Sequence, residues 1–424
     1  MSALVGTLQN AWKMSDLRTK IIYTLMMFLV FRIGAHIPVP GINRDAIAQL
    51  INSGALFGFF DVISGGSFRN FSVFAMSITP YINASIILQL LTVVVPRLEQ
   101  LAKEGNEGRK KITEYTRYFT IILAFIQAIG LSYGLSASGV IQNPSWGNYL
   151  LIATTLTAGT AFLMWIGERI TENGIGNGIS LIIFAGIVSR LPQGINTLYQ
   201  YMINGTVNVL GALAFIIIAG ISIAGIIYIN EGQRRIPVQY AKRVVGRRVY
   251  GGQNTHIPLR VNMAGVIPVI FASSLLAFPS TIAQFFPNSG IASFFNQYFQ
   301  FGSFLHSTFY AVLILFFTYF YTAITFNPVE VADNMKKYGG FIPGMRPGRP
   351  TSEYLTKVMS RLTLVGGIFL TVISLLPTFI IMITGITNIY FGGTALLIVV
   401  GVALDTMKQL EANMLNRHYQ GFMK

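Results

Sequence analysis

The fold of this chain is decided by a stretch of 69 residues that contains no Asp, Glu, Lys or Arg. It runs from Val261 to Val329 and reads VNMAGVIPVIFASSLLAFPSTIAQFFPNSGIASFFNQYFQFGSFLHSTFYAVLILFFTYFYTAITFNPV. A soluble domain covers its surface with charged side chains, which make up roughly a quarter of its residues. In the whole chain of 424 residues, 53% are hydrophobic and only 11% are charged. We therefore expect an all-α membrane protein.

A helix needs about 20 apolar residues to cross a bilayer, and the chain offers ten such segments. The first apolar segment has no small-residue cleavage site before Pro38, so it is expected to remain as a span. The fifth segment is short and begins near a run of glycines. The ten predicted spans are 21–39, 71–95, 115–137, 149–170, 176–191, 206–230, 261–280, 305–326, 362–384 and 393–411.

The distribution of Lys and Arg predicts the orientation. If the N-terminus is cytoplasmic, the inner segments hold 26 of the 30 basic residues, as the positive-inside rule requires. Both ends are then cytoplasmic, and the net charge of +15 reports topology and not nucleic-acid binding. The predicted layout is a cytoplasmic tail 1–20, a first half 21–191, a second half 206–411 with inner loops 231–260 and 327–361, and a cytoplasmic tail 412–424.

Two pairs of segments match across these halves. Ile78-Thr-Pro-Tyr-Ile82 in the second span resembles Ile267-Pro-Val-Ile270 in the seventh, and Gly178-x-x-Leu-Ile-Ile-x-x-Gly186 resembles Gly393-x-x-Leu-Leu-Ile-x-x-Gly401. One member of each pair runs inward and the other outward, which predicts an inverted repeat of five spans against five. We expect Pro80 in span two and Pro268 in span seven each to break a helical hydrogen bond beside a cavity or a neighbouring helix.

The residues that chemistry would need are missing. There is no cysteine, no phosphate-binding Gly-x-x-x-x-Gly-Lys-Ser/Thr pattern, and no ligand-like spacing among the four histidines. Almost all of the 15 carboxylates fall in loops, whereas an ion-coupled carrier is expected to hold one in its core. We therefore predict neither an enzyme nor a resident cofactor or metal. A small-solute secondary transporter remains the main alternative, followed by another kind of insertase and a structural scaffold.

Many motifs in order, from Val30-Phe-Arg-Ile-Gly34 through Gly174-Ile-Gly-Asn-Gly-Ile-Ser180 to Phe391-Gly-Gly-Thr394, resemble the SecY family of bacterial protein-conducting channels. The resemblance extends over essentially the whole chain. It implies ten transmembrane helices in two inverted five-helix halves around an hourglass pore in the bacterial inner membrane. Such a channel passes unfolded secretory polypeptides and releases membrane-protein helices sideways into the bilayer.

The resemblance also implies three structural roles. Residues 56–70 would form a plug, although on its own this stretch equally suits an amphipathic turn at the membrane surface. The plug positions are Phe60, Gly65, Gly66, Phe68 and Arg69. The lateral gate would include Asn83, Gln127 and Phe278, and the pore ring would be Ile78, Ile82, Ile179, Ile183, Ile270 and Ile398, although most membrane isoleucines simply face lipid.

The implied partners are the membrane subunits SecE and SecG, the SecA motor ATPase, a translating ribosome and a polypeptide that carries a signal sequence. Arg234, Arg235 and Arg346 match the positions that engage cytosolic partners in this family. The alternative for these basic loops is positive-inside bias alone. No direct contact with nucleic acid is expected apart from the ribosome.

Overall fold

The computed structural model describes residues 12–43, 46–47, 61, 64–136, 139–205, 209–240, 243–245, 248–250, 254–285, 290, 294, 298–299, 303–384 and 393–421. A helix overlaps each of the ten predicted spans. In the first half these are α1 (Ser15–Gly34), α2 (Thr79–Val94), α4 (Asn106–Ser136), α5 (Trp146–Asn173) and α6 (Gly178–Ile203), with the short α3 (Pro96–Lys103) after α2.

The second half contains α7 (Val209–Glu231), α8 (Ile267–Phe285), α9 (Phe304–Thr325), α11 (Arg349–Thr384) and α12 (Gly393–Gly421), with the short α10 (Pro328–Lys337) after α9. Seven described helices are each long and apolar enough to cross a membrane, and α2 with α3 makes an eighth although the two are bent by 98°. Helices α1 and α8 complete the set of ten.

The halves meet where α8 packs against α2 and α4, and where α6 packs against α12. A central apolar cluster joins them. It takes Ile82 from α2, Ile182 from α6, Val269 from α8 and Leu397 from α12. The fold is therefore the expected one, an all-α membrane protein with ten helices in two halves.

Several predicted boundaries are wrong. The second helix begins at Thr79 and not near 71, because residues 71–78 form successive turns. Helix α6 continues through Pro192 to Ile203, so most of the predicted outer link is helical. Helix α12 runs on to Gly421, well into the predicted tail.

The two long basic loops fold together. Strand β1 (Gln233–Tyr240) pairs antiparallel with β4 (Asn254–Arg260) on one side and with β5 (Gly340–Phe341) on the other, and β2 (Arg243–Val245) pairs with β3 (Arg248–Tyr250). The two loops and the start of α11 share an apolar core, which we call the loop body; its buried residues are Ile236, Val238, Leu259, Met335, Ile342, Leu355, Val358 and Met359. The sequence did not predict this sheet.

Glycine contacts show the repeat in three dimensions. A Cβ on Gly178 would lie 1.9 Å from the carbonyl oxygen of Gly167 in the preceding span, and one on Gly393 would lie 1.7 Å from that of Ile373. The second glycine of each motif also has an equivalent contact. Gly186 lies against Gly65, in the segment before α2, and Gly401 against Val266, just before α8. Equivalent glycines therefore make equivalent contacts in the two halves.

We predict that Gly178→Ala lowers the free energy of unfolding by about 1–3 kcal/mol, since the added methyl group meets backbone and the core must shift to admit it. Thermal unfolding of the purified protein in detergent measures this. The matched control is Gly220→Ala in α7, where nothing lies within 4 Å of the added Cβ. That change should be neutral or slightly stabilising because Ala favours helix over Gly. Equal stability of the two variants would contradict the prediction.

Candidate functional site

The structure brings the six isoleucines of the expected pore ring to one place. Ile78, Ile82, Ile183 and Ile398 are buried in the central apolar cluster, and Ile179 and Ile270 pack against it, partly buried. Ile78 and Ile82 belong to the start of α2, Ile179 and Ile183 to the start of α6. The other two come from α8 and α12 in the second half. The centre of the bundle is therefore aliphatic and is shared by both halves.

The prolines near this centre start helices, so the expectation that they break them is wrong. Pro80 lies in the first turn of α2 and Pro268 is the second residue of α8. In a first turn the missing N–H has no intrahelical partner anyway, and the fixed φ suits the helix. Prolines within described helices lie elsewhere, at Pro192, Pro279 and Pro377. Each half thus has a central helix with a proline in its first turn.

The expected plug is only partly described. Phe60 and the rest of 56–60, with 62 and 63, lie outside the described residues. Residues 64–70 form tight turns, in which Gly65 and Gly66 have φ of +66° and +89°. A Cβ on Gly65 would lie 2.6 Å from Cα of Gly186, so only glycine permits this contact between the segment and α6.

The end of this segment is anchored in a second apolar cluster. Phe68 is 5% exposed and lies in a cluster with Val39, Leu135 and Ile141. Arg69 is partly exposed, and its backbone N–H donates to Oδ1 of Asp61 at 2.8 Å. These contacts seat the segment inside the bundle, which disfavours an amphipathic turn at the membrane surface.

Sequence reasoning missed the ionic part of this site. The carboxylate of Asp61 forms a salt bridge with the guanidinium of Arg190 on α6. Nη1 of Arg32, near the end of α1, donates to the Gly65 carbonyl at 2.9 Å and to Oγ of Ser189 at 3.1 Å. The sequence did contain a signal for this site. Arg32 and Arg190 are two of the four basic residues that fall outside the predicted cytoplasmic segments.

The expected lateral gate is a packed seam. Helix α8 lies against both α2, which carries Asn83, and α4, which carries Gln127. Each of these side chains is only 8% exposed, and within the described part of the chain neither makes a hydrogen bond. The side chain of Phe278 lies outside the described residues. The seam therefore holds two buried amides that are not paired with each other.

The arginines expected to bind partners are exposed on the loop body. Arg234 and Arg235 lie on β1, and Arg346 lies in the turn before α11. Gly344 and Gly348 flank that turn with φ of +84° and +102°, conformations that favour glycine. One folded body thus presents all three guanidinium groups.

A cavity of about 520 Å³ with a mixed polar and apolar lining lies beside the base of the loop body. Its lining includes Asn177 and Ser180 at the start of α6, Asn262, and Asp405 and Thr406 of α12. Among the described residues, no group of three or more His, Asp and Glu side chains could hold a metal ion. The cavity borders the aliphatic centre, since Val266 and Val402 belong to both.

Comparisons with known proteins identify this arrangement. A family model described as SecY matches residues 72–407. Protein translocase subunit SecY of Halalkalibacterium halodurans is 51% identical over 99% of this chain and 99% of its own length. Among solved structures, "The structure of a protein conducting channel" has 20% identity, a TM-score of 0.67, and coverage of 93% of this chain and 92% of that one. "Sec61 in the Canine ribosome-channel complex from the endoplasmic reticulum" has 20% identity, a TM-score of 0.63 and the same coverage.

Ten helices in two inverted halves around an aliphatic centre define a multi-pass membrane protein of the protein-conducting channel class. The chain belongs to the SecY family. It is a channel subunit of a protein translocase. The findings support this channel function and not a small-solute secondary transporter.

Proposed function

We propose that Ile78, Ile82, Ile179, Ile183, Ile270 and Ile398 form the constriction through which the polypeptide passes. The observation that carries this proposal is their convergence, from α2, α6, α8 and α12, on one cluster shared by both halves. Isoleucine is stiff at χ1, which gives the ring a defined shape. An aliphatic ring excludes water when empty. It offers a passing chain no hydrogen bonds, so it does not select one sequence over another.

In this proposal the segment 56–70 is the plug and the seam of α8 with α2 and α4 is the lateral gate. Within the described residues neither Asn83 nor Gln127 makes a hydrogen bond, so helix packing holds this seam closed. Each centrally placed Leu or Ile of a signal-sequence helix contributes roughly 0.3–0.6 kcal/mol to insertion. A few such residues offset the contacts of the seam, so the gate stays shut at rest and opens for its substrate.

The loop body is the proposed docking surface for the SecA motor or a translating ribosome. Three exposed arginines on one folded unit suit pairing with carboxylates or phosphates, because a guanidinium binds both in a bidentate manner. The solved Sec61 relative was imaged in a complex with a ribosome. The remaining proposed partners are SecE and SecG. The proposed location is the bacterial inner membrane, with both termini and the loop body in the cytoplasm, and the chain itself carries out no chemical reaction.

The constriction is tested by disulfide trapping, which the absence of cysteine makes clean. One Cys replaces Ile82 and another is placed in a secretory chain stalled midway by a folded C-terminal domain, with SecA and ATP supplied. We expect a disulfide at Ile82, which is 9% exposed in the resting centre. The control is Ile221→Cys in the middle of α7, 67% exposed, where no bond should form. Bonding at Ile221 alone would place the path elsewhere.

For the gate we predict that Asn83→Leu makes the channel more selective. The amide of Asn83 is buried and makes no hydrogen bond within the described residues, so replacing it with leucine removes an unpaired polar group and stabilises the closed form by about 1 kcal/mol. Signal sequences should then need one or two more central leucines for the same transport. Transport of a graded series of signal sequences measures this, with the exposed Asn204→Leu at the end of α6 as control. An unchanged threshold would remove Asn83 from the gate.

For the docking surface we predict that Arg346→Glu abolishes SecA-driven transport, because the reversed charge repels a carboxylate on the partner. Insertion and binding of SecE should be unchanged, as Arg346 is exposed. The control is Lys110→Glu, an exposed charge reversal at the start of α4, outside the loop body. ATP-dependent transport into vesicles measures both variants. Normal transport by the Arg346 variant would exclude this role.

A further inference from the structure

The described part of the plug is organised around one carboxylate. Asp61 is 5% exposed. Its Oδ1 accepts from the backbone N–H of Arg69 at 2.8 Å, and its main-chain oxygen accepts from the N–H of Gly66 at 2.9 Å. The same carboxylate forms the salt bridge with Arg190 on α6. One side chain therefore both shapes the turns of the plug and attaches them to the wall of the channel.

The wall at this point carries two cations. Arg190 is largely buried, and Arg32 lies close enough for the two guanidinium charges to repel. Arg32 also bridges the plug to α6 through the carbonyl of Gly65 and the hydroxyl of Ser189. In the described part of the chain, Asp61 is the only carboxylate that pairs with either arginine. Its negative charge is thus what balances two like charges in a poorly hydrated site.

We propose that Asp61 and Arg190 form an electrostatic latch that holds the plug closed against α6, with Arg32 as its second attachment. The inference rests on the channel function proposed above and makes these three positioning residues for closure. The contact of Gly65 with Gly186 brings the two backbones together where the latch forms. An apolar plug alone lacks this dependence on geometry, since hydrophobic burial is non-directional.

The attraction between Asp61 and Arg190 is strong only while water is excluded from the pair. An ion pair shielded from water has a much larger Coulomb energy than one in bulk water, where exposed pairs contribute little. When an entering polypeptide displaces the plug and water reaches Asp61, the attraction collapses and the separated charges are hydrated. The released plug is therefore only weakly attracted to α6 while the polypeptide moves through the channel. The latch gives two distinct states, seated and released, and few states between them.

The test measures ion leak through the resting complex in vesicles. Asp61→Asn keeps the shape and the acceptor oxygen for Arg69 while removing the charge, and Arg190→Gln removes the partner charge. Each should raise resting leak roughly tenfold or more, since removing one partner leaves the other charge buried and unpaired. Arg190→Lys, which keeps the charge, should stay within about threefold of the unchanged protein. The matched control is Arg169→Gln, which removes an exposed ion pair with Glu172.

The variant Arg190→Lys separates the latch from a merely structural role. It keeps the positive charge and should keep the closure that Arg190→Gln loses. Resting leak of Asp61→Asn and Arg190→Gln equal to that of the Arg169 control would overturn the latch.

The same vesicles tell failure of the latch from failure of the channel function. With a secretory chain stalled inside, the unchanged complex should conduct ions. Suppose that the engaged complex conducts ions but the resting Asp61→Asn and Arg190→Gln variants do not leak. That result would overturn the latch and leave the channel function standing. No conduction in the engaged state, with the stalled chain shown to be inserted, would overturn the proposed path itself.

Discussion

Inside a bilayer each backbone N–H and C=O must find a partner within the protein, because hydrocarbon offers none. The ten helices satisfy this requirement for most of the chain. Residues 64–78 do not form a helix, yet they lie in the middle of the bundle. They are tolerated because they bond among themselves and to the wall, through Asp61, the Gly65 carbonyl and the pairing of Val39 N–H with the Phe71 carbonyl at 2.9 Å. The irregular segment is thus held by a small set of specific contacts.

That arrangement suits a part of the molecule that moves. A transmembrane helix carries its hydrogen bonds with it, whereas an irregular segment depends on neighbours that it can leave. Phe71 and Ser77 have φ of +37° and +53°, which is unusual for residues with a side chain. Such strained backbone persists only where surrounding contacts over-determine it. The strain lies directly before Ile78, where the segment joins helix α2.

Much of the fold could be predicted from the sequence because it follows from local composition. Uncharged runs of span length mark the helices, and the six isoleucines were placed by motif and repeat. The errors have local causes too. Pro80 and Pro268 were expected within helices, but the segments before Thr79 and Ile267 are not helical, so both prolines fall in a first turn. The sheet of the loop body pairs β1 with β5 across about a hundred residues, and short strands separated so far leave no periodic signal.

The sequence by itself determined the membrane class, the ten helices, the inverted repeat and the family, since each is written in composition, charge bias or motif order. Only the tertiary structure decided which distant residues meet. It placed Asp61 on Arg190, Gly65 on Gly186, and two separate loops in one body. These contacts depend on how far each helix slides and turns against its neighbours. That is set by the packing of whole surfaces, and no local stretch of sequence encodes it.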